Sequence, residues 1–133
     1  MIVADTNLII HLNVSSELSS LAMRVLQKDS HWIIPPLWQS EFRNALAGYM
    51  RRGMSLEMAQ TIMEETLQVM EERQVIPNSN RVLALAARSS CTAYDCEFVT
   101  LAEQLGIPLV TADKQLTKVF PAIAVSLEDF AHS

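Results

Sequence analysis

Four carboxylates stand where an apolar run ends or a helical one begins. Asp5 stops the run Ile2-Val3-Ala4 and is followed by Thr6 and Asn7. Asp113 stops a second run, "IPLVTAD". Glu41, in "WQSEFRNAL", comes early in a helical segment, with Asn44 about a turn later on a similar face. Asp95, in "CTAYDCEF", comes in the first turn of another. Each has a plain structural role open to it. Acids in a first turn favour the helix dipole, Thr92 with Asp95 resembles a capping box with Asp in place of Glu, and Asp5 and Asp113 can cap the helices after them. Brought together, however, four carboxylates repel and some take up protons. A divalent cation relieves that repulsion. Oxygen ligands select Mg²⁺ or Mn²⁺ over zinc, and such an ion activates water and neutralises a phosphoryl transition state. Thr6, Asn7, Asn44 and Thr111 are polar groups placed to orient the carboxylates.

Bringing the acids together requires a particular scaffold. Residues 2–4, 32–34, 107–110 and 123–125 read as short, continuously apolar strands, and 75–76 as a brief fifth before Pro77. Between them, 18–27, 37–52, 55–73, 82–88, 93–105 and 114–119 read as helices. Gly53 breaks the second, Ser55 is placed to cap the third, and Gly106 stands in the C′ position after 93–105. Buried strands alternating with helices predict an α/β fold with a central parallel sheet of four to five short strands, covered on both faces as an α/β/α sandwich. Ligands of such sheets bind beyond the carboxyl ends of the strands. Asp5 and Asp113 share that rim if their strands are neighbours.

The length of 133 residues suits one domain, 1–133, with no linker or repeat. No apolar run approaches the roughly 20 residues of a membrane span, and no basic stretch precedes the first strand, so no secretory signal is expected. Cys91 and Cys96 are too few for a disulfide framework and read as reduced thiols of a cytoplasmic protein. His11, His31 and His132 fit no ligand spacing. The net charge of −5 argues against nucleic acid as a partner for the chain as a whole, but not against a local basic patch.

The pieces "VADTN", "SEFRNAL" and "TAYDCEFVTLAEQLGIPLVTADKQL" together resemble the PIN domain ribonucleases, over nearly the whole chain. The resemblance implies an α/β/α sandwich that cuts single-stranded RNA with Mg²⁺ or Mn²⁺. It places the catalytic and metal-binding acids on Asp5, Glu41, Asp95 and Asp113, a small polar companion on Thr6 and an amide on Asn44. A bare domain of this length is most similar to the VapC-type toxins of toxin–antitoxin pairs. That implies an RNA substrate, an antitoxin partner and a homodimer. After Asp113 the chain reads "KQLTK", without the further acid that some members carry.

Three cations are candidate RNA contacts. Arg52 shares the Glu41 face of its helix with Ala45 and Gly48, at 100° per residue. Lys114 and Lys118 lie a turn apart beside Asp113. Met50, Met54 and Met58 repeat every four residues, as core packing or as an adaptable surface for a dimer mate or antitoxin. Glu97 and Glu103 read as solvated helix-face residues, Glu97 being a minor candidate ligand. Two other functions compete. A receiver-like signalling domain needs a lysine before proline after its fifth strand, and "VTADKQL" lacks it. A catalytically silent binding module has no need of four acids.

Overall fold

Ile2, Val3 and Ala4 are wholly excluded from solvent, so the strand they form needs cover on both faces. The computed structural model describes residues 1–133 and supplies that cover. Four strands, β1 (Ile2–Ala4), β2 (Trp32–Ile33), β3 (Leu109–Thr111) and β4 (Ala124–Ser126), lie in the order β2-β1-β3-β4, every pair parallel. Parallel neighbours need crossover connections, and helices provide them. They are α1 (Thr6–Asn13), α2 (Ser19–Lys28), α3 (Trp38–Arg51), α4 (Leu56–Met70), α5 (Ser79–Ala87), α6 (Ala93–Leu105), α7 (Lys114–Val119) and α8 (Leu127–His132). Helices α1, α2 and α8 pack into one group, α5 and α6 into another, and the whole is a three-layer α/β/α arrangement. No helix is long and apolar enough to cross a membrane.

Strands β1 and β3 are neighbours, with Val3 opposite Leu109 and Ala4 opposite Val110. The Asp5 N–H continues the ladder to the Val110 carbonyl at 3.1 Å. The residues that follow both strands therefore emerge on one rim. Helix α3 is fixed against the core by Trp38, Phe42 and Leu46, all buried and four residues apart. The Trp38 and Phe42 rings meet edge to face at 5.7 Å. That stripe sets the rotation of the helix, and with it the direction of Glu41.

The expected fifth strand is a single parallel bridge, Ile34 to Gln74, one residue earlier than 75–76. Val75 donates to the Ile34 carbonyl at 3.0 Å, but Pro77 has no N–H and the pairing goes no further. Helix α5 starts at Ser79 rather than 82, because the Asn78 side chain caps it by accepting the Arg81 N–H. Helices α1 and α8 are additions to the elements read from sequence. Leu8-Ile9-Ile10 is too continuously apolar to display a helical period, and α8 starts directly at the end of β4, with Ser126 as its cap. Gly106 takes φ 65°, the left-handed conformation expected of a C′ glycine. Of the methionine stripe, Met50 and Met54 pack against the core, whereas Met58 is 53% exposed.

Candidate active site

The sequence after β1 turns at once into α1, and Asp5 is its cap: Oδ1 accepts the Thr6 N–H at 2.7 Å. Oδ2 takes the Thr111 hydroxyl at 2.6 Å and the Asn7 amide at 3.3 Å. Asn7 in turn reaches across to the neighbouring strand. Its Oδ1 accepts the Ala112 N–H at 3.0 Å, and its amide donates to Thr111 Oγ1 at 3.3 Å. Thr111 Oγ1 also accepts the Asp113 N–H at 2.9 Å. Asp113 caps α7 through Oδ1, which accepts the Gln115 N–H at 2.8 Å. Capping and membership of the acidic rim are thus not alternatives for Asp5 and Asp113; both residues do both.

Glu41 comes to the rim from α3, where the Thr6 hydroxyl donates to its Oε1 at 2.7 Å. Asp95 comes from the first turn of α6. Thr92 Oγ1 accepts its N–H at 3.1 Å, as in a capping box, and the Thr92 side chain also steadies the Asp95 carboxylate, which faces the other acids. Their charges register on one another. Burial, opposed by the Thr111 hydrogen bond and increased by the Glu41 charge, raises the Asp5 carboxyl to about 6. Burial and Asp95 raise Glu41 against its bond from Thr6. Burial and the Asp113 charge raise Asp95. A further acid joins them: Glu97 is raised by burial and by the charge of Glu41. From sequence Glu97 is only a minor candidate beside Asp95, from which it is 200° round the helix, and spacing carries no sign of its coupling to Glu41.

The donor set is all oxygen and costs free energy to ionise together, which suits a hard cation such as Mg²⁺ or Mn²⁺. No three His, Cys, Asp or Glu side chains stand close enough to hold an ion among their own atoms. A cation held here by Asp5, Glu41, Asp95 and Asp113 would bind partly through water, as Mg²⁺ commonly does.

Of the other polar residues read from sequence, Thr6, Asn7 and Thr111 lie inside this network. Asn44 is exposed on α3 and makes no side-chain hydrogen bond. Lys114 and Lys118 are exposed on α7. Arg52 is exposed at the end of α3, its guanidinium 4.6 Å over the Tyr49 ring. Cys91 and Cys96 are free and buried, and burial, with the nearby acids, raises both thiols, so neither is a ready nucleophile. A cleft between α1, α2 and α4, lined by Ile9, Leu12, Leu26, Trp32 and Met70, contains none of the acids.

The chain as a whole is similar to known proteins. The family model described as "PIN domain" matches residues 2–120. A protein of Pyrobaculum aerophilum named Ribonuclease VapC3 is 33% identical over 129 residues, 92% of this chain and 96% of that protein. A crystal structure from the same organism, PAE2754, superposes with a TM-score of 0.74 over 98% of this chain and 86% of that one, at 21% identity, a likeness of fold.

Proposed function

The chain belongs to the PIN domain family, and on that premise we propose that it is a Mg²⁺- or Mn²⁺-dependent endoribonuclease, the toxin of a toxin–antitoxin pair. The observation that carries the reading is the gathering of Asp5, Glu41, Asp95 and Asp113 on one rim, where burial and neighbouring charge push Asp5, Glu41 and Asp95 towards their neutral forms. The relative named as a VapC ribonuclease supports the substrate class and the pairing with an antitoxin.

In this mechanism Asp5 is a fixed ligand. Three donors hold both its oxygens, so its orientation is set before substrate arrives. Glu41 is held by one oxygen through Thr6, which leaves Oε2 for the ion or its waters. Asp95, with Thr92 beside its carboxylate, and Asp113, with one oxygen on Gln115, complete the set. When bound, the ion supplies Lewis acidity, lowering the pKa of water and neutralising charge that builds on the phosphoryl oxygens. Arg52, Lys114 and Lys118 hold the flanking phosphates as exposed cations on an otherwise acidic chain. The protein acts in the cytoplasm as a homodimer, and an antitoxin segment silences it by entering the acidic groove. Leu56 and Met58, 61% and 53% exposed at the start of α4, are apolar side chains for a protein partner to cover.

The test is incubation of the purified protein with a panel of RNAs in Mn²⁺ and in chelator, beside Asp5→Asn. Cutting by the parent in Mn²⁺ alone supports the reading. Cutting that survives chelation, or that the variant retains, removes it.

A further inference from the structure

The parallel pairing of Ile34 with Gln74 carries the chain from Val75 to Pro77 towards the same rim as the acids. Two large apolar side chains are left uncovered there, Ile76 at 79% exposed and Leu83, on the following helix, at 63%. Pro77 and Val82 are buried beneath them. With Ser79 and Glu97 these residues line an open cleft of about 300 Å³. That is the small end of the range for ligand clefts, roughly 300–1,000 Å³, and suits one ring system better than a protein segment. Glu97 lies at the boundary between cleft and acids. It lines the first, stands on α6 two residues after Asp95 of the second, and makes no hydrogen bond or ion pair with the protein.

We propose that this cleft receives one nucleobase of the RNA beside the phosphate that is cut, and that Glu97 selects a base offering adjacent N–H donors, guanine first. The proposal rests on the ribonuclease reading above. Single-stranded RNA is read by splaying bases onto apolar or aromatic side chains and hydrogen-bonding their edges. Ile76 and Leu83 supply the apolar walls, and Glu97 and the Ser79 hydroxyl supply the polar groups. Guanine presents N1–H and its 2-amino group side by side, matching the two oxygens of a carboxylate. Uracil presents one N–H between two carbonyls, which a carboxylate repels. The same chemistry makes Glu97 a determinant of specificity, while the four rim acids act on the phosphate.

The test compares short RNAs that differ only in the nucleotide next to the cut. In Mn²⁺ the parent should cut the guanine form with a kcat/KM about tenfold or more above the uracil form, the discrimination of a good bidentate contact. Glu97→Gln replaces one acceptor by a donor and should lower that preference several-fold. Leu83→Ser should raise KM for all four bases while the preference stays. Binding of the same RNAs in chelator, by fluorescence anisotropy at low salt, reports the subsite without cutting. A guanine preference there that Glu97→Gln abolishes keeps the subsite even if no RNA is cut, in which case it is the nuclease reading that fails. If the parent cuts but Glu97→Gln slows all four RNAs equally, Glu97 serves the phosphate and the proposal is overturned. It is overturned as well if Leu83→Asp turns a dimer into a monomer in light scattering with base preference intact, since the cleft then belongs to a second copy.

Discussion

The Thr111 hydroxyl stands 2.6 Å from Asp5 Oδ2 and accepts the Asp113 N–H at 2.9 Å. One side chain, buried at the end of β3, thus ties the end of β1 to the start of α7 and orients two acids of the rim. Replacing it with valine keeps the shape and removes both bonds together with a third, which the hydroxyl accepts from the Asn7 amide at 3.3 Å. Thr111→Val should cost about 1–3 kcal/mol in urea unfolding, because the Asp113 N–H loses its partner and Asp5 its best donor. RNA cutting should fall roughly 10–100-fold, as for other residues that orient metal ligands. Thr111→Ser should keep most of both. Wild-type activity in the valine variant would mean that Asp5 does not need this orientation.

Asp5 gives a pH dependence whose sign follows from its raised carboxyl. In the folded chain it titrates at about 6, against an ordinary 3.8. Between those values the folded state holds the proton that the unfolded state has lost, so stability falls as pH rises. Asp5→Asn removes this loss. In chelator, the stability of the variant relative to the parent should climb from pH 4 to pH 7 by up to about 3 kcal/mol. Glu41, Asp95 and Glu97 titrate in both proteins and largely drop out of the difference. The hydrogen bonds pull the other way. Thr111 and Asn7 both donate to Oδ2, and an asparagine amide there meets donors with a donor, at a cost of about 1–3 kcal/mol at every pH. Near-equal stability at pH 7 is therefore expected, and the rising difference is the signature. A difference that is flat with pH would mean Asp5 is not raised.

The fold was readable because its signals are local. Short apolar runs between helical stretches gave the parallel sheet, and Thr92, Ser55 and Gly106 marked helix ends that the structure keeps. What escaped was not periodic. Helix α1 hides in an apolar run, α8 abuts β4 without a gap, and the 75–76 strand reduces to one bridge beside a proline. The rim was legible as strand-end acids because a parallel sheet sends all its strand ends one way. The links through Asn7 to Thr111 and Ala112 span more than a hundred residues, as does that from Thr111 to Asp5, and depend on which strands are neighbours. The influence of the Glu41 charge on Glu97 depends on the packing of α6, which no spacing in the chain encodes.

Arg52 is exposed at the end of α3, stacked on Tyr49 rather than paired with an acid, so its charge is available. Arg52→Ala should weaken RNA binding and make the slope of log K against log salt shallower by about 0.7, one phosphate on a single strand. The rate at saturating RNA should not change. Loss of the ring contact should cost about 0.5–1 kcal/mol at most. A parental salt slope in the variant would take Arg52 off the RNA path.

Lys114 and Lys118 are both exposed on α7 and neither is in a salt bridge. If they guide RNA to Asp113, the double alanine variant should show a raised KM, with kcat close to the parent and no loss of thermal stability. Equal KM values would dispose of the patch.

Mn²⁺-dependent thermal melting tests most directly whether Asp5 and its neighbours bind a divalent cation where the RNA is cut. A ligand that binds only the folded state raises stability with the logarithm of its concentration above Kd. The Tm of the parent, measured from chelator up through a series of Mn²⁺ concentrations, should rise steadily, and that of Asp5→Asn should rise much less. Equal rises in the two proteins, or none in the parent, would contradict the account.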